Sequence, residues 1–216
     1  MIASWYDRQG PAGDTLLVGE LPDPAPAPGE VRVRVHVSGV NPGDTKKRAG
    51  WPGSPMIFPL VIPHSDGAGV IDAVGEGGDR RRIGQRVWTY GAQSYRPFGT
   101  AAQFTCVPDR QAVALPDDVL DEIGACLGIP GITAHRAVFS DGPVAGQTVL
   151  VHGVHGSVSS LAAQLARWAG ATVIGTVRHG AGTSHDVGTD VPTVALDGDA
   201  ADAIRRLAPA GVDRIV

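Results

Sequence analysis

Cysteine is scarce: Cys106 and Cys126 are the two in 216 residues, and no C-x-x-C pair occurs. That leaves no disulfide framework, suggests no structural zinc site and gives no sign of an oxidising compartment. Both thiols are expected to be buried as small apolar groups. Basic clusters are short as well. No run of Lys or Arg exceeds the triplet in "DRRR", and 18 basic against 22 acidic residues give a net charge of -4. Nucleic acid and anionic membrane surfaces are therefore not expected partners. No apolar stretch approaches the roughly 18 residues of a membrane span. The start, "MIASWYDRQG", lacks the basic and apolar regions of a secretory leader. A cytoplasmic location is the expectation. Internal repeats are absent.

What is present is a composition able to bury one or two cores, 43% hydrophobic and 19% charged. The stretch "PDPAPAPG" at 22–29 is too rich in proline for helix or central strand and reads as a stiff connector. In "EVRVRVHV" Val31, Val33, Val35 and Val37 alternate with Arg32, Arg34 and His36, the two-residue period of a strand with one wet face. His36 then belongs to the solvated side. Short apolar runs in "GAGVIDAV", "QRVWTYG" and "TAAQFTCV", divided by glycine and charge, extend this into a strand-rich, barrel-like first half.

After about residue 118 the pattern changes. "DEIGACLGIPGITAHRAVF" predicts helical segments, "GQTVLVHG" a strand, and "SVSSLAAQLARWAG" a helix with Val158, Leu161, Ala162, Leu165, Trp168 and Ala169 on its buried face. "ATVIGTV", "VPTVAL", "DAADAIRRLA" and "GVDRIV" continue the alternation of strand and helix, which argues for a parallel sheet. The sequence stops on what reads as a fourth strand. A doubly wound dinucleotide domain commonly has about six, in the order 3-2-1-4-5-6, so roughly half of one is expected to be absent.

Five motifs, "SGVNPGDTKKRAG", "PHSDGAGVIDAVG", "IGQRVW", "LGIPGITAHRAV" and "VLVHGVHGSVSSLAAQLARWAGATVIGTV", taken in order, resemble the quinone oxidoreductase (zeta-crystallin-like) branch of the medium-chain dehydrogenase/reductases. The resemblance runs over nearly the whole chain. It implies an α/β fold: an N-terminal GroES-like β-barrel over residues 1–118, followed by an incomplete Rossmann domain, a doubly wound parallel sheet, over 119–216. It also implies a reductase that uses NADPH to pass hydride to a quinone or an activated alkene (enone), a small-molecule substrate. The final "DRIV" reads as an unpaired apolar edge, an expected site of association with another chain, as in a homodimer.

Zinc-dependent relatives carry a cysteine ligand in the loop before the family's aspartate and a His-Glu pair before the "GAGV" turn. Here the loop reads "GVNPGD", the pair is Ser65-Asp66, and His64 stands one place too early. This donor set does not supply three or four tetrahedral ligands, so no metal is expected. His64 is read as a hydrogen-bonded structural residue. By resemblance, Asn41 and Thr133 would face the nicotinamide and the substrate carbonyl, where an amide or hydroxyl stabilises oxyanion charge, and Asp44 would order the loop. As an Asx-type turn, "NPGD" also has a purely structural reading. Many relatives carry a tyrosine two residues past that aspartate; this chain has Lys46, which leaves the substrate open. Trp88, Tyr90 and Tyr95 are core or rim aromatics, or stack on a flat acceptor.

The turn of the second half matches the family's A-x-x-G-x-x-G as Gly153, Gly156 and then Ser159, with Ser157 replacing another frequent glycine. A helix N-terminus after a strand offers free N–H groups and partial positive charge to a pyrophosphate, and glycines permit the close approach. Ser159 is expected to crowd helix against strand, so that Ser159→Gly tightens binding, or else to act through its hydroxyl as a cap or phosphate donor. NAD enzymes place an acid at the end of the second strand for the ribose hydroxyls. "GTVRHG" has Thr176, Arg178 and His179 instead, and Arg178 suits a 2′-phosphate. The expected cofactor-binding set is Gly153, Gly156, Ser157, Val158, Ser159, Thr176 and Arg178. Two readings stay open: an NADPH-dependent reductase, or a shortened or partial relative that binds the cofactor weakly or not at all.

Overall fold

The computed structural model describes residues 1–178, 191–196 and 198–216. The stretch "HGAGTSHDVGTD", including His179, lies outside the described residues. Two compact units divide the chain, Met1–Ile129 and Pro130–Val216.

The first unit begins with β1 (Ile2–Trp5), α1 (Ala12–Thr15) and β2 (Leu17–Glu20), β1 and β2 pairing antiparallel. After the proline-rich connector come β3 (Glu30–Gly39), α2 (Pro42–Ala49), β4 (Asp66–Val74), β5 (Arg86–Thr89), β6 (Phe104–Pro108), β7 (Ala112–Ala114) and the short α3 (Asp121–Gly124). Strands β6-β3-β4-β5-β7 form a five-stranded antiparallel sheet. The valine alternation does its expected work at the start of β3, where Val31 and Val33 are each 1% exposed and pack with Ile71, Val87 and Val107. Burying each such side chain is worth about 1.5–3 kcal/mol. The register shifts after Arg32 and again between Val35 and Val37, so the far half of β3 lies less deeply. His36 is exposed as expected, and its Nδ1 lies 2.8 Å from Asp121 Oδ2, whose other oxygen accepts from Arg86.

The helix α4 (Gly128–Phe139) begins in the first unit and continues into the second. There follow β8 (Thr148–Val151), α5 (Ser157–Trp168), β9 (Thr172–Arg178), β10 (Thr193–Leu196), α6 (Ala200–Leu207) and β11 (Arg214–Ile215). The four strands are parallel in the order β10-β9-β8-β11, which is 3-2-1-4 by sequence within this unit. That is the order of the doubly wound dinucleotide fold up to its fourth strand. Both faces are covered: Val149, Val151 and Val173 pack with α4 and α5 residues, while Leu150, Ile174 and Val194 pack with Ala203 and Ile204 of α6. Strands buried on two faces read as unbroken apolar runs, which is why "TVLV" and "TVIGTV" show no alternation.

Two expectations fail here. The buried stripe of α5 is Ser160, Ala162, Ala163 and Ala166, and Trp168 is 84% exposed. Alanines let the helix axis close on the sheet, leaving Val158, Leu161 and Leu165 on the flanks of the contact. Neither cysteine is fully buried: Cys106 is intermediate on the sheet's edge strand β6, and Cys126 is exposed in the turn after α3. Among the described residues no helix is long and apolar enough to cross a membrane.

Candidate functional site

In the second unit, β8 ends at Val151 and the chain turns through His152 to Gly156 before α5 begins. Gly153 sits at φ +63°, left-handed backbone that a side chain disfavours, and its carbonyl accepts the Gly156 N–H at 2.8 Å. Gly156 is the N-cap of α5 and supplies no capping side chain, and no acid stands in the first turn. The first-turn amides of Ser157, Val158 and Ser159 have no carbonyl of the preceding turn to bond, as at any helix start. Ser157 is exposed, and Val158 and Ser159 are half-buried. The turn therefore presents donors and the positive end of a helix dipole without a built-in anion.

Two residues of the expected cofactor set brace the turn. Thr176 is 1% exposed, and its hydroxyl accepts the Gly153 N–H at 3.1 Å while lying 3.1 Å from His152 Nδ1. Its carbonyl accepts from Val154 N–H. It is a tie between β9 and the glycine turn, buried below the surface a ligand would touch. Ser159 Oγ donates to the His152 carbonyl at 2.8 Å. The hydroxyl bridges helix to strand end, so Ser159 does not merely crowd the packing, and it is neither a helix cap nor a free phosphate donor. Ser159→Gly is accordingly expected to lower stability by about 1 kcal/mol, through the lost hydrogen bond and glycine's entropy. Urea unfolding checks this, and an unchanged or raised midpoint would restore the crowding explanation. Arg178 is exposed at the end of β9.

The first unit holds a buried polar cluster. Asn41 caps α2, and its backbone N–H donates to Asp44 Oδ2 at 2.8 Å while Asp44 N–H returns to the Asn41 carbonyl at 3.0 Å. Asp44 orders this loop, 5% exposed. The Asn41 carboxamide is turned inward and donates to Asp66 Oδ2 at 2.7 Å. Asp66, fully buried at the start of β4, also accepts from Ile129 N–H at 2.8 Å, and its Oδ1 has no hydrogen-bond partner among the described residues. Gly128 makes this possible, since a Cβ there would lie 2.1 Å from Asp66 Oδ1. Burial raises the pKa of both Asp66 and Asp44 from the ordinary aspartate value. Sequence reasoning treated Asp66 only as a missing zinc ligand. The available signal was an acid leading directly into the buried run "GAGVI".

His64 adjoins the cluster with φ 73°, left-handed backbone uncommon for a non-glycine residue. Burial lowers its pKa below the ordinary histidine value, against the pull of Asp44. A chain of hydroxyls fixes its tautomer. Thr100 Oγ1 donates to the Asp66 carbonyl, so the Ser38 hydroxyl, 2.9 Å away, must donate to Thr100. Ser38 Oγ therefore accepts from His64 Nδ1–H at 2.8 Å, and Nε2 of the neutral ring carries the lone pair. The structural role expected for His64 is present, with Ser38 and Thr100 as partners that the sequence did not disclose.

Comparison with known proteins places the chain in a family. Residues 27–117 match the alcohol dehydrogenase GroES-like domain. Human quinone oxidoreductase is 37% identical over 161 residues, covering 74% of this chain and 47% of its own length. The chain belongs to the quinone oxidoreductase branch of the medium-chain dehydrogenase/reductase superfamily. A solved NAD-dependent alcohol dehydrogenase superposes with a TM-score of 0.88 at 27% identity, covering 100% of this chain and 70% of that one. A mycobacterial structure complexed with NADPH superposes with a TM-score of 0.77 at 31% identity, covering 100% and 66%. The chain spans about half the length of the curated quinone oxidoreductase relatives it matches.

For this quinone oxidoreductase branch member the expected residues gather in two places: Asn41 and Asp44 at the start of α2, and Gly153, Gly156, Ser157, Val158, Ser159 and Thr176 at the glycine turn. Thr133 is an exposed residue of α4. The expected aromatics separate: Trp88 and Tyr90 have ring centroids 5.9 Å apart, whereas Tyr95 is 94% exposed at φ 57°. Missed altogether was a cleft of about 370 Å³ in the first unit, walled by Tyr6, Lys47, Met56, Ile57, Phe58 and Tyr95 among others. Its residues come from four separate stretches of sequence, so no single motif announces it.

Proposed function

We propose that the chain is an NADPH-dependent reductase that passes hydride to a quinone or an activated alkene without zinc. The observation that carries this reading is the acid-free glycine turn leading into α5, together with an arginine in place of an acid at the end of β9. Gly153 and Gly156 leave room for a pyrophosphate, the first-turn amides of Ser157, Val158 and Ser159 donate to it, and Arg178 pairs with the 2′-phosphate. The bound nucleotide supplies the hydride. Thr176 takes the role of a positioning residue because its hydroxyl is spent inside the turn. Asn41 does the same through Asp66, and by resemblance to the family Thr133 of α4 is the donor to the acceptor carbonyl. Zinc takes no part in this reading, since the loop before Asp44 offers the Asn41 carboxamide where zinc enzymes offer a thiolate. The domains we assign are the GroES-like segment 1–118 and the nucleotide-binding segment 119–216.

The test is a fluorescence titration with both nucleotides. NADPH is expected to bind at least several-fold tighter than NADH, and Arg178→Ala to erase the difference while leaving NADH binding unchanged. Equal affinities in the native chain, or an unaltered preference in the variant, would show that Arg178 is only a solvated strand-end residue. NADPH oxidation with a simple quinone then tests the reaction itself.

A further inference from the structure

The last turn of α2 carries three consecutive cations, Lys46, Lys47 and Arg48, and each has a neutral partner. Lys46 stacks over the Trp51 ring at 4.6 Å, and Arg48 donates to the Gly10 carbonyl. Lys47 Nζ donates to Gln93 Oε1 at 3.0 Å. Gln93 is 8% exposed and its amide is held in that orientation by donating to the Arg96 carbonyl at 3.1 Å. The nearby carboxylate of Asp44 accepts from the Asn41 backbone, and no carboxylate lies within ion-pair distance of Lys47 among the described residues. An ammonium has three donors, and a carboxamide uses one without cancelling the charge.

This half-buried ammonium stands in the wall of the 370 Å³ cleft, beside Tyr6, Met56, Ile57, Phe58 and Tyr95. Ile57 is 69% and Tyr95 94% exposed, so the cleft holds apolar surface as well as a cation that Asp44 attracts only from beyond ion-pair distance. The wall is braced: Gln9 Nε2 donates both to the Lys47 carbonyl at 2.6 Å and to the Ser54 carbonyl at 2.8 Å, tying α2 to the segment that carries Met56, Ile57 and Phe58. Clefts of this size accept drug-sized ligands, with a few polar groups fixing orientation.

We propose that this cleft binds a planar apolar molecule bearing an anionic oxygen group, its rings against Met56, Ile57, Phe58 and Tyr95 and its oxyanion on Lys47. The cleft lies wholly within the first unit, so the proposal does not depend on the reductase reading. A charge-assisted hydrogen bond is about twice as strong as a neutral one, and the cleft shields it partly from water.

The experiment is calorimetric titration of the full chain, without nucleotide, by 2-naphthoate and by 2-naphthamide, probes of the same shape that differ in charge. Naphthoate is expected to bind about tenfold tighter than naphthamide. Lys47→Gln should abolish that preference, and Lys47→Arg should retain most of it, which separates lost charge from lost folding. Equal binding of the two probes, a preference that survives Lys47→Gln, or no binding of either to the native chain would each overturn the proposal. Because no nucleotide is present, these outcomes are independent of whether the chain oxidises NADPH.

Discussion

Replacing Asn41 by aspartate is expected to destabilise the first unit by about 3 kcal/mol at neutral pH, and by progressively less as the pH is lowered. The wild-type carboxamide donates to Asp66 Oδ2 at 2.7 Å, within a cluster where Asp66 is fully buried and Asp44 nearly so. Aspartate at this position removes the donor and sets a second carboxylate against the first where water does not screen them. One of the pair is then driven to hold a proton. A carboxyl whose folded pKa is raised above the unfolded value, near 3.8, lends its stability at low pH and loses it as the pH climbs through the folded value. Asp66 and Asp44 are already raised in the native chain, and the substitution raises the shared value further. Urea midpoints of variant and native chain should therefore converge between pH 7 and pH 5. The protonation of His64, whose folded pKa lies below 6.5, weakens both proteins over the lower part of that window and largely cancels in the difference. A loss equal at both pH values would mean that the Asn41–Asp66 contact is not electrostatically coupled.

Ser157→Asp is expected to act in opposite directions on stability and on cofactor binding. Ser157 is exposed at the first position of α5, whose first turn holds no acid. A carboxylate there meets the positive end of the helix and should stabilise the second unit by about 0.5 kcal/mol. The same charge occupies the place proposed for the pyrophosphate, and NADPH affinity should fall more than tenfold, on the order of 1.4 kcal/mol or more. A thermal melt and a titration on one preparation measure both. A variant that melts higher yet binds NADPH as the native chain does would remove the helix start from the proposed site, and loss of fold could not be blamed.

How far these sites were legible differs with the range of the contacts. Strand and helix alternation in the second half was readable because it rests on local periodicity, and the parallel order followed from chain topology rules. The burial of α5 was set wrongly at Trp168 because a hydrophobicity count favours large side chains, while close helix-to-sheet approach selects Ala162, Ala163 and Ala166. The hydroxyls of Ser159 and Thr176 were counted as ligand groups, since nothing in sequence shows that His152 and Gly153 claim them first. Asp66 gave a sequence signal only as an acid at the head of a buried run; its donors, Asn41 and Ile129, lie 25 and 63 residues away along the chain, so its role as a hub was not legible.

The one-way run of hydroxyls from His64 to the Asp66 carbonyl sets the chemistry of the imidazole at a distance. A carbonyl oxygen has no proton to give, so each hydroxyl behind it has its single proton spoken for, and the last vacancy falls on Nδ1. The ring is thus wired as a base at Nε2 by a backbone atom it never touches. Removing the Ser38 hydroxyl would cut that wire and free the ring to exchange its acid and base faces, while the fold around it kept the same histidine in the same place.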